Sequence, residues 1–193
     1  MTMATSCSHA EGSTTRYKDP EERFILELPA DWHLYPEGLD QLESRPFNAS
    51  QRVSGVAFDG YPGPDPEHLS VPVSESQYPV GTAAVRSIGE RERDFVSRYL
   101  LTQTVLPYEE EADYREMLKQ DFALGEDVEG VRVLVQYRET ATNDLAAVFL
   151  QSVTNADDTQ MYSIAVGCSV ECFQAHEVEI AEVVTSWKVN TRE

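Results

Sequence analysis

Four histidines, His9, His33, His68 and His176, and three cysteines, Cys7, Cys168 and Cys172, are the side chains best suited to metal or nucleophilic chemistry in this chain of 193 residues. Zinc ligands recur at short separations, and none of these histidines stands at such a spacing from another or from a cysteine. Cys168-Ser-Val-Glu-Cys172 has three intervening residues where a thioredoxin-type pair has two, so it lacks the arrangement that activates a thiol at a helix start. The pair reads as a structural disulfide or, equally, as two inert thiols. His33 lies between Trp32 and Tyr35 and is the one candidate general base, for a small hydrolase or a ligand-binding pocket beneath that aromatic segment. The same residues, Trp32, His33 and Tyr35, form a candidate interaction surface. Asp59, Asp65 and Glu67 make the densest run of oxygen donors, but three prolines and the wrong spacing exclude an EF-hand loop. Gly-x-Ser-x-Gly and phosphate-cradling glycine loops are absent from the sequence. The expectation is no catalytic residue, no cofactor and no metal.

Composition narrows the partners. With 34 acidic against 15 basic residues the formal net charge is −19, which repels phosphate backbones and argues against nucleic acid. Only Lys18, Lys119 and Lys188 are lysines. An acidic surface suits a basic protein partner by electrostatic steering, or is simply a solvated face. No run of 18 apolar residues exists, so no transmembrane segment is expected. Met1 to Cys7 lacks a charged leader and an apolar core, which points to a cytoplasmic protein as the sequence stands. The alternative is an extracytoplasmic lipoprotein: Ala4-Thr-Ser-Cys7 resembles a lipoprotein cleavage box, with Cys7 as the lipidation site if translation starts upstream. Cys168 and Cys172 would then remain as an even pair in an oxidising compartment.

The elements that must position these residues read as follows. Residues 1–19 are small, polar and aperiodic, a disordered N-terminal arm; 20–193 form a single domain, since a chain of this size buries roughly 70% of its unfolded surface. Phe24 to Leu28 is a strand, and Pro29 to Pro36 turns out of it. Gly55 to Phe58 and Leu69 to Val73 are short strands expected to pair across a Gly- and Pro-rich loop, with Pro72 setting the second at an edge. From Glu90 to Pro107 the period turns helical. A second helix is expected from Glu109 to about Leu124, with Tyr114, Met117, Leu118 and Phe122 as one stripe. Val131 to Tyr137, Leu145 to Val153 and Met161 to Val166 alternate at period two and form an antiparallel meander, with Asn143-Asp144 and Asn155-Ala-Asp-Asp158 as hairpin turns. Phe173, Ile180, Val184 and Trp187 mark a closing helix. The order of strands, helices, meander and helix gives an α+β class, a mostly antiparallel β-sheet flanked by helices.

Phe24-Ile-Leu-Glu-Leu-Pro-Ala-Asp-Trp32 resembles the strand and Pro-x-x-Trp opening of the PsbP-like family. That family includes a photosystem II extrinsic protein, a Ran-binding import factor, bacterial lipoproteins and secretion-effector chaperones. Val56 to Phe58, Leu69 to Val73, the meander and Val183 to Val189 resemble its later strands and terminal helix, over residues 22 to 189. The resemblance implies an α/β/α sandwich without catalytic residues, whose members dock onto other proteins. The leading expectation is therefore a non-enzymatic accessory module with a protein partner. The pocket near His33 and the lipid-anchored protein stand as alternatives.

Overall fold

The computed structural model describes residues 13–36, 52–94, 97–123 and 129–190, with side chains except at 52, 53, 98–100, 112 and 129. Its strands are β1 (Thr14–Lys18), β2 (Phe24–Pro29), β3 (His33–Tyr35), β4 (Arg52–Asp59), β5 (Val80–Ser87), β6 (Ala112–Ala123), β7 (Glu129–Arg138), β8 (Leu145–Thr154), β9 (Gln160–Ser169) and β10 (Lys188–Val189). Its helices are α1 (Glu90–Arg93), α2 (Arg98–Val105), α3 (Val170–Ala175) and α4 (Glu177–Ser186). A seven-stranded sheet runs in the order β3-β4-β5-β9-β8-β7-β6, with every pairing antiparallel. A second sheet, β1-β2-β10, is antiparallel too.

The meander forms where the period-two pattern places it. Along β7 the residues Val131, Val133, Val135 and Tyr137 are fully buried, while Arg132, Leu134, Gln136 and Arg138 on the other face are half-buried. Asn143 (φ 63°) and Asp158 (φ 51°) turn the two hairpins in the left-handed region that short polar side chains tolerate. Asn155 locks the second turn, its Oδ1 accepting from the amides of Thr159 at 2.8 Å and Gln160 at 2.9 Å.

Two cores lie on opposite faces of the large sheet. On one, Leu101 and Val105 of α2, with Leu106 and Tyr108, pack on the buried row of β7 and on Val148 and Leu150 of β8. On the other, Phe173 of α3 and Ile180, Val183 and Val184 of α4 join Phe24, Leu26 and Leu28 of β2 over Ile164 and Val166 of β9. Ile180 has no exposed surface, and burying such a side chain contributes about 1.5–3 kcal/mol. The result is the expected α+β arrangement, a mostly antiparallel sheet flanked by helices.

Several local expectations are corrected. Thr14–Lys18, placed in the disordered arm, is β1, because it completes the hydrogen-bonding edge of β2 from Lys18↔Ile25 to Thr14↔Pro29. Asp19 is buried and its Oδ2 accepts from Arg23 Nε at 3.1 Å. Leu69 to Val73 is not a strand: it lies in two 3-10 turns, Pro66–Ser70 and Val73–Glu75. The partner of β4 is β5, whose small residues are buried on both faces and so show no alternation. The helix expected from Glu109 is instead β6. The closing helix is broken at His176 (φ −115°, ψ 17°) into α3 and α4, and Trp187 follows α4 in extended backbone. The helix expected between Glu90 and Pro107 is represented by α1 and α2; Phe95 and Val96 of its stripe lie outside the described residues, as does the segment 38–51.

Candidate functional site

At the β3 end of the large sheet, strand pairing sets His33 opposite Asp59 and Tyr35 opposite Ala57. Asp59 ends β4 with its side chain fully buried. Its Oδ1 accepts from the Tyr61 amide at 3.2 Å, and its Oδ2 lies 3.6 Å from His68 Nδ1. Burial pushes the Asp59 carboxyl above the ordinary carboxylate value. Tyr35 is pushed up to about 12 by burial and by the nearby Asp59 charge. This is the meeting of histidines and carboxylates that bond-making chemistry would need.

The hydrogen bonds of the cluster run to the loop beside it. The loop from Gly60 to Pro79 is strapped down by it: His33 Nε2 accepts from the Gly63 amide at 3.2 Å, and the Tyr35 hydroxyl accepts from the Asp65 amide at 3.1 Å. Tyr61 stacks on His68 with ring centroids 4.0 Å apart, and its hydroxyl bonds the Ser76 hydroxyl at 3.1 Å. Asp65 Oδ1 caps the first 3-10 turn by accepting from the Glu67 amide at 3.0 Å. The His33 lone pair that a general base needs is thus engaged by loop backbone. Trp32, expected at an interaction surface, is 5% exposed and stacks on Phe58 at 6.1 Å. Its indole also lies under Gly60, where an added Cβ would stand 3.0 Å from Nε1. The correction has a simple cause: the largest apolar side chain in the segment closes the core beneath the loop. No group of three or more His, Cys, Asp or Glu able to hold a metal occurs among the described residues.

The remaining site expectations fall elsewhere. Cys168 is the penultimate residue of β9, Cys172 lies in the first turn of α3, and their Cα atoms, 5.9 Å apart, place the two thiols within disulfide reach. Ser169 between them caps α3 by accepting from the Cys172 amide at 3.2 Å. Cys7 lies outside the described residues. His176 Nδ1 is bonded to Glu179 Oε2 at 2.8 Å, on the surface. No helix among the described residues is long and apolar enough to cross a membrane.

At the other end of the sheet is a different kind of site. β6 forms the edge, and Tyr114, Met117 and Leu118 on it are 44%, 51% and 39% exposed. Its register against β7 skips Met117, since Glu116 pairs with Val135 and Leu118 with Leu134. This bulge turns Met117 and Leu118 toward the same face, the one that carries α3. There Met117, Leu134, Ala147, Val170 and Phe173 line a groove of about 190 Å³, with Gln174 and Glu177 at its rim. A groove that size is smaller than a typical small-molecule pocket. From the opposite face Tyr108 donates to Glu116 Oε1 at 2.7 Å, and Lys119 Nζ reaches the same oxygen at 3.1 Å. Burial raises the Glu116 pKa, but these two bonds outweigh it and hold the carboxyl below its ordinary value. The edge is therefore anchored on one face and open on the other.

No protein-family model matches the sequence, and no curated protein matches it. Solved structures resemble it in fold. The solution structure of cyanobacterial PsbP from Synechocystis sp. PCC 6803 is 12% identical with a TM-score of 0.56, over 97% of this chain and 99% of that one. The crystal structure of LpqN, involved in cell envelope biogenesis of Mycobacterium tuberculosis, is 13% identical with a TM-score of 0.54, over 95% and 87%. The Saccharomyces cerevisiae Ran-binding protein Mog1p is 8% identical with a TM-score of 0.55, over 93% and 96%. The fold is PsbP-like.

Proposed function

We propose that this protein is a non-catalytic accessory module that works by docking onto another protein through the β6 end of its sheet. The observation that carries the reading is the exposed apolar pair Met117 and Leu118 on the open face of β6, beside the groove under α3, since exposed apolar clusters on a protein surface mark interaction sites. The strapped loop at the β3 end supports it by accounting for the His33 and Asp59 cluster structurally. Among proteins of the same fold, the yeast neighbour is a Ran-binding protein, which is compatible with a docking role. The test is chemical cross-linking of the tagged full chain in native lysate, read by mass spectrometry. A protein recovered at near-stoichiometric yield and cross-linked to β6 supports the reading; stoichiometric recovery of none overturns it.

The Cys168 and Cys172 pair is proposed to be oxidised in the working protein, which sets it in an oxidising compartment rather than the cytoplasm. Alkylation of the unreduced protein, quenched from its native cells and unfolded in denaturant, should spare both residues. Labelling of either one would overturn the assignment.

A further inference from the structure

The loop from Gly60 to Pro79 is fastened at two points, each through a histidine. Pro62, Pro64 and Pro66 carry no N–H, so between them the tip of the loop offers only the amides of Gly63 and Asp65. Gly63 donates to His33 Nε2 at 3.2 Å and Asp65 to the Tyr35 hydroxyl at 3.1 Å. Residues 62 to 67 are all exposed, so no buried side chain helps to hold the tip. The base of the loop is different. Leu69 is fully buried, and His68 beside it stacks on Tyr61 with its Nδ1 3.6 Å from Oδ2 of the fully buried Asp59.

A proton acts in opposite directions at the two rings. Imidazole is the side chain that ordinarily changes charge between about pH 5 and 8, and it accepts a hydrogen bond only through an unprotonated nitrogen. Protonation of His33 at Nε2 therefore sets a donor against the Gly63 N–H, and that bond is lost. At 3.6 Å, His68 and Asp59 lie beyond good hydrogen-bond distance yet within ion-pair range. A proton taken up there is shared by the pair and bonds Oδ2 to Nδ1.

The surroundings supply no competing titration. His33 faces Asp59 across the ladder from β4 and Tyr35 on its own strand, while Asp59 and His68 are flanked by Tyr35, Tyr61 and His33. Asp65 and Glu67 on the loop are exposed. Burial pushes Tyr35 up to about 12, so its hydroxyl keeps the Asp65 amide throughout this range.

We propose that the two histidines make this loop a two-point pH latch: as the solution turns acid, His33 lets go of the tip at Gly63 while His68 fastens the base to Asp59. The device belongs to the β3 end of the sheet and stands independently of the docking reading.

The test uses the full chain, isotope-labelled, with amide-exchange protection factors read by NMR between about pH 5 and 8. The ring signals of His33 and His68 are followed in the same samples. Protection of the Gly63 amide should fall about fivefold on acidification and track the His33 ring. Val71 donates to the His68 carbonyl and closes the turn that carries His68. Protection of its amide should rise at least about twofold and track the His68 ring. His33→Gln, which offers an acceptor at every pH, should abolish the fall at Gly63 and leave the rise at Val71. His68→Phe, which keeps a ring on Tyr61, should abolish the rise and leave the fall; His68→Gln serves the same purpose should the first variant fail to fold. A Gly63 amide indifferent to the His33 titration, a Val71 amide indifferent to that of His68, both moving in one direction, or a fall that survives His33→Gln would each overturn the proposal.

Discussion

The two ends of the seven-stranded sheet use their residues in opposite ways. At the β3 end stand the side chains with chemical potential, His33, Tyr35, Asp59 and His68, and each is engaged in pinning a loop over buried Trp32 and Phe58. At the β6 end stand Tyr114, Met117 and Leu118, of no chemical interest, and they face solvent. A Pro- and Gly-rich loop has few apolar contacts to hold it, so polar side chains must supply its bonds. A long edge strand with two register shifts needs no such help, because β7 supplies its ladder and Tyr108 its anchor. Reactive residue types therefore mark the closed end, and plain ones the open end.

The largest test of that contrast is aromatic truncation. Trp32→Ala removes a side chain that is 5% exposed and should cost about 3–5 kcal/mol. Tyr114→Ala, at a ring 44% exposed, should cost no more than about 1 kcal/mol. Urea denaturation of both variants reads the difference directly. Equal losses would mean that the β6 edge belongs to the core after all.

The next contrast is electrostatic, and its sign differs between the ends. Asp59→Ala strands the Tyr61 amide and should cost about 1–3 kcal/mol, whereas breaking the exposed Asp113 and Arg138 pair with Asp113→Asn should cost at most about 1 kcal/mol. The folded Asp59 pKa is raised. Its favourable contribution is therefore complete below the ordinary carboxylate value and lost as pH rises through the raised one. Relative to Asp59→Asn, wild-type stability should fall across that window. Glu116 is lowered, so its contribution is present above the ordinary value and lost as pH falls through the folded one. Relative to Glu116→Gln, wild-type stability should rise with pH. A rising difference at Asp59 would show that His68 holds the carboxylate more strongly than burial opposes it.

The legible and illegible parts of the fold have physical reasons. The meander was readable because one face of β7 is buried and the other is not; that asymmetry is what period two records. β5 left no such trace, since Val80 to Arg86 is buried on both faces. β6 imitates a helix because Tyr114, Met117 and Leu118 stand at helical intervals in the sequence, although in the edge strand the bulge puts Met117 and Leu118 on one face and Tyr114 packs against Tyr108 on the other. The resemblance carried by Phe24 to Trp32 identified the fold; the separate expectation of an interaction surface at Trp32, His33 and Tyr35 does not fit Trp32, whose ring closes the core. Of the site, the sequence offered His33 and Tyr35 as surface residues. It showed Met117 and Leu118 only as a packing stripe, because exposure depends on where the helical layer stops, which no local pattern encodes.

The smallest expected effect is the one that sharpens the comparison most. Met117 is 51% exposed, and its bulged position leaves it outside the paired register with β7. Met117→Gln keeps the length of the side chain and removes its apolar character, so unfolding free energy should change by no more than about 0.5 kcal/mol. If Met117 serves packing alone, a polar replacement should weaken the fold as core substitutions do. If it serves a partner, the fold should stay intact while recovery of the cross-linked protein drops. The same change at Leu69, fully buried under the strapped loop, should do the reverse: a loss of about 2–5 kcal/mol from an unfilled and unsatisfied core position, with partner recovery falling only as far as the folded fraction does. A stable Met117→Gln variant that recovers as much partner as wild type would show that the open end of the sheet is merely exposed.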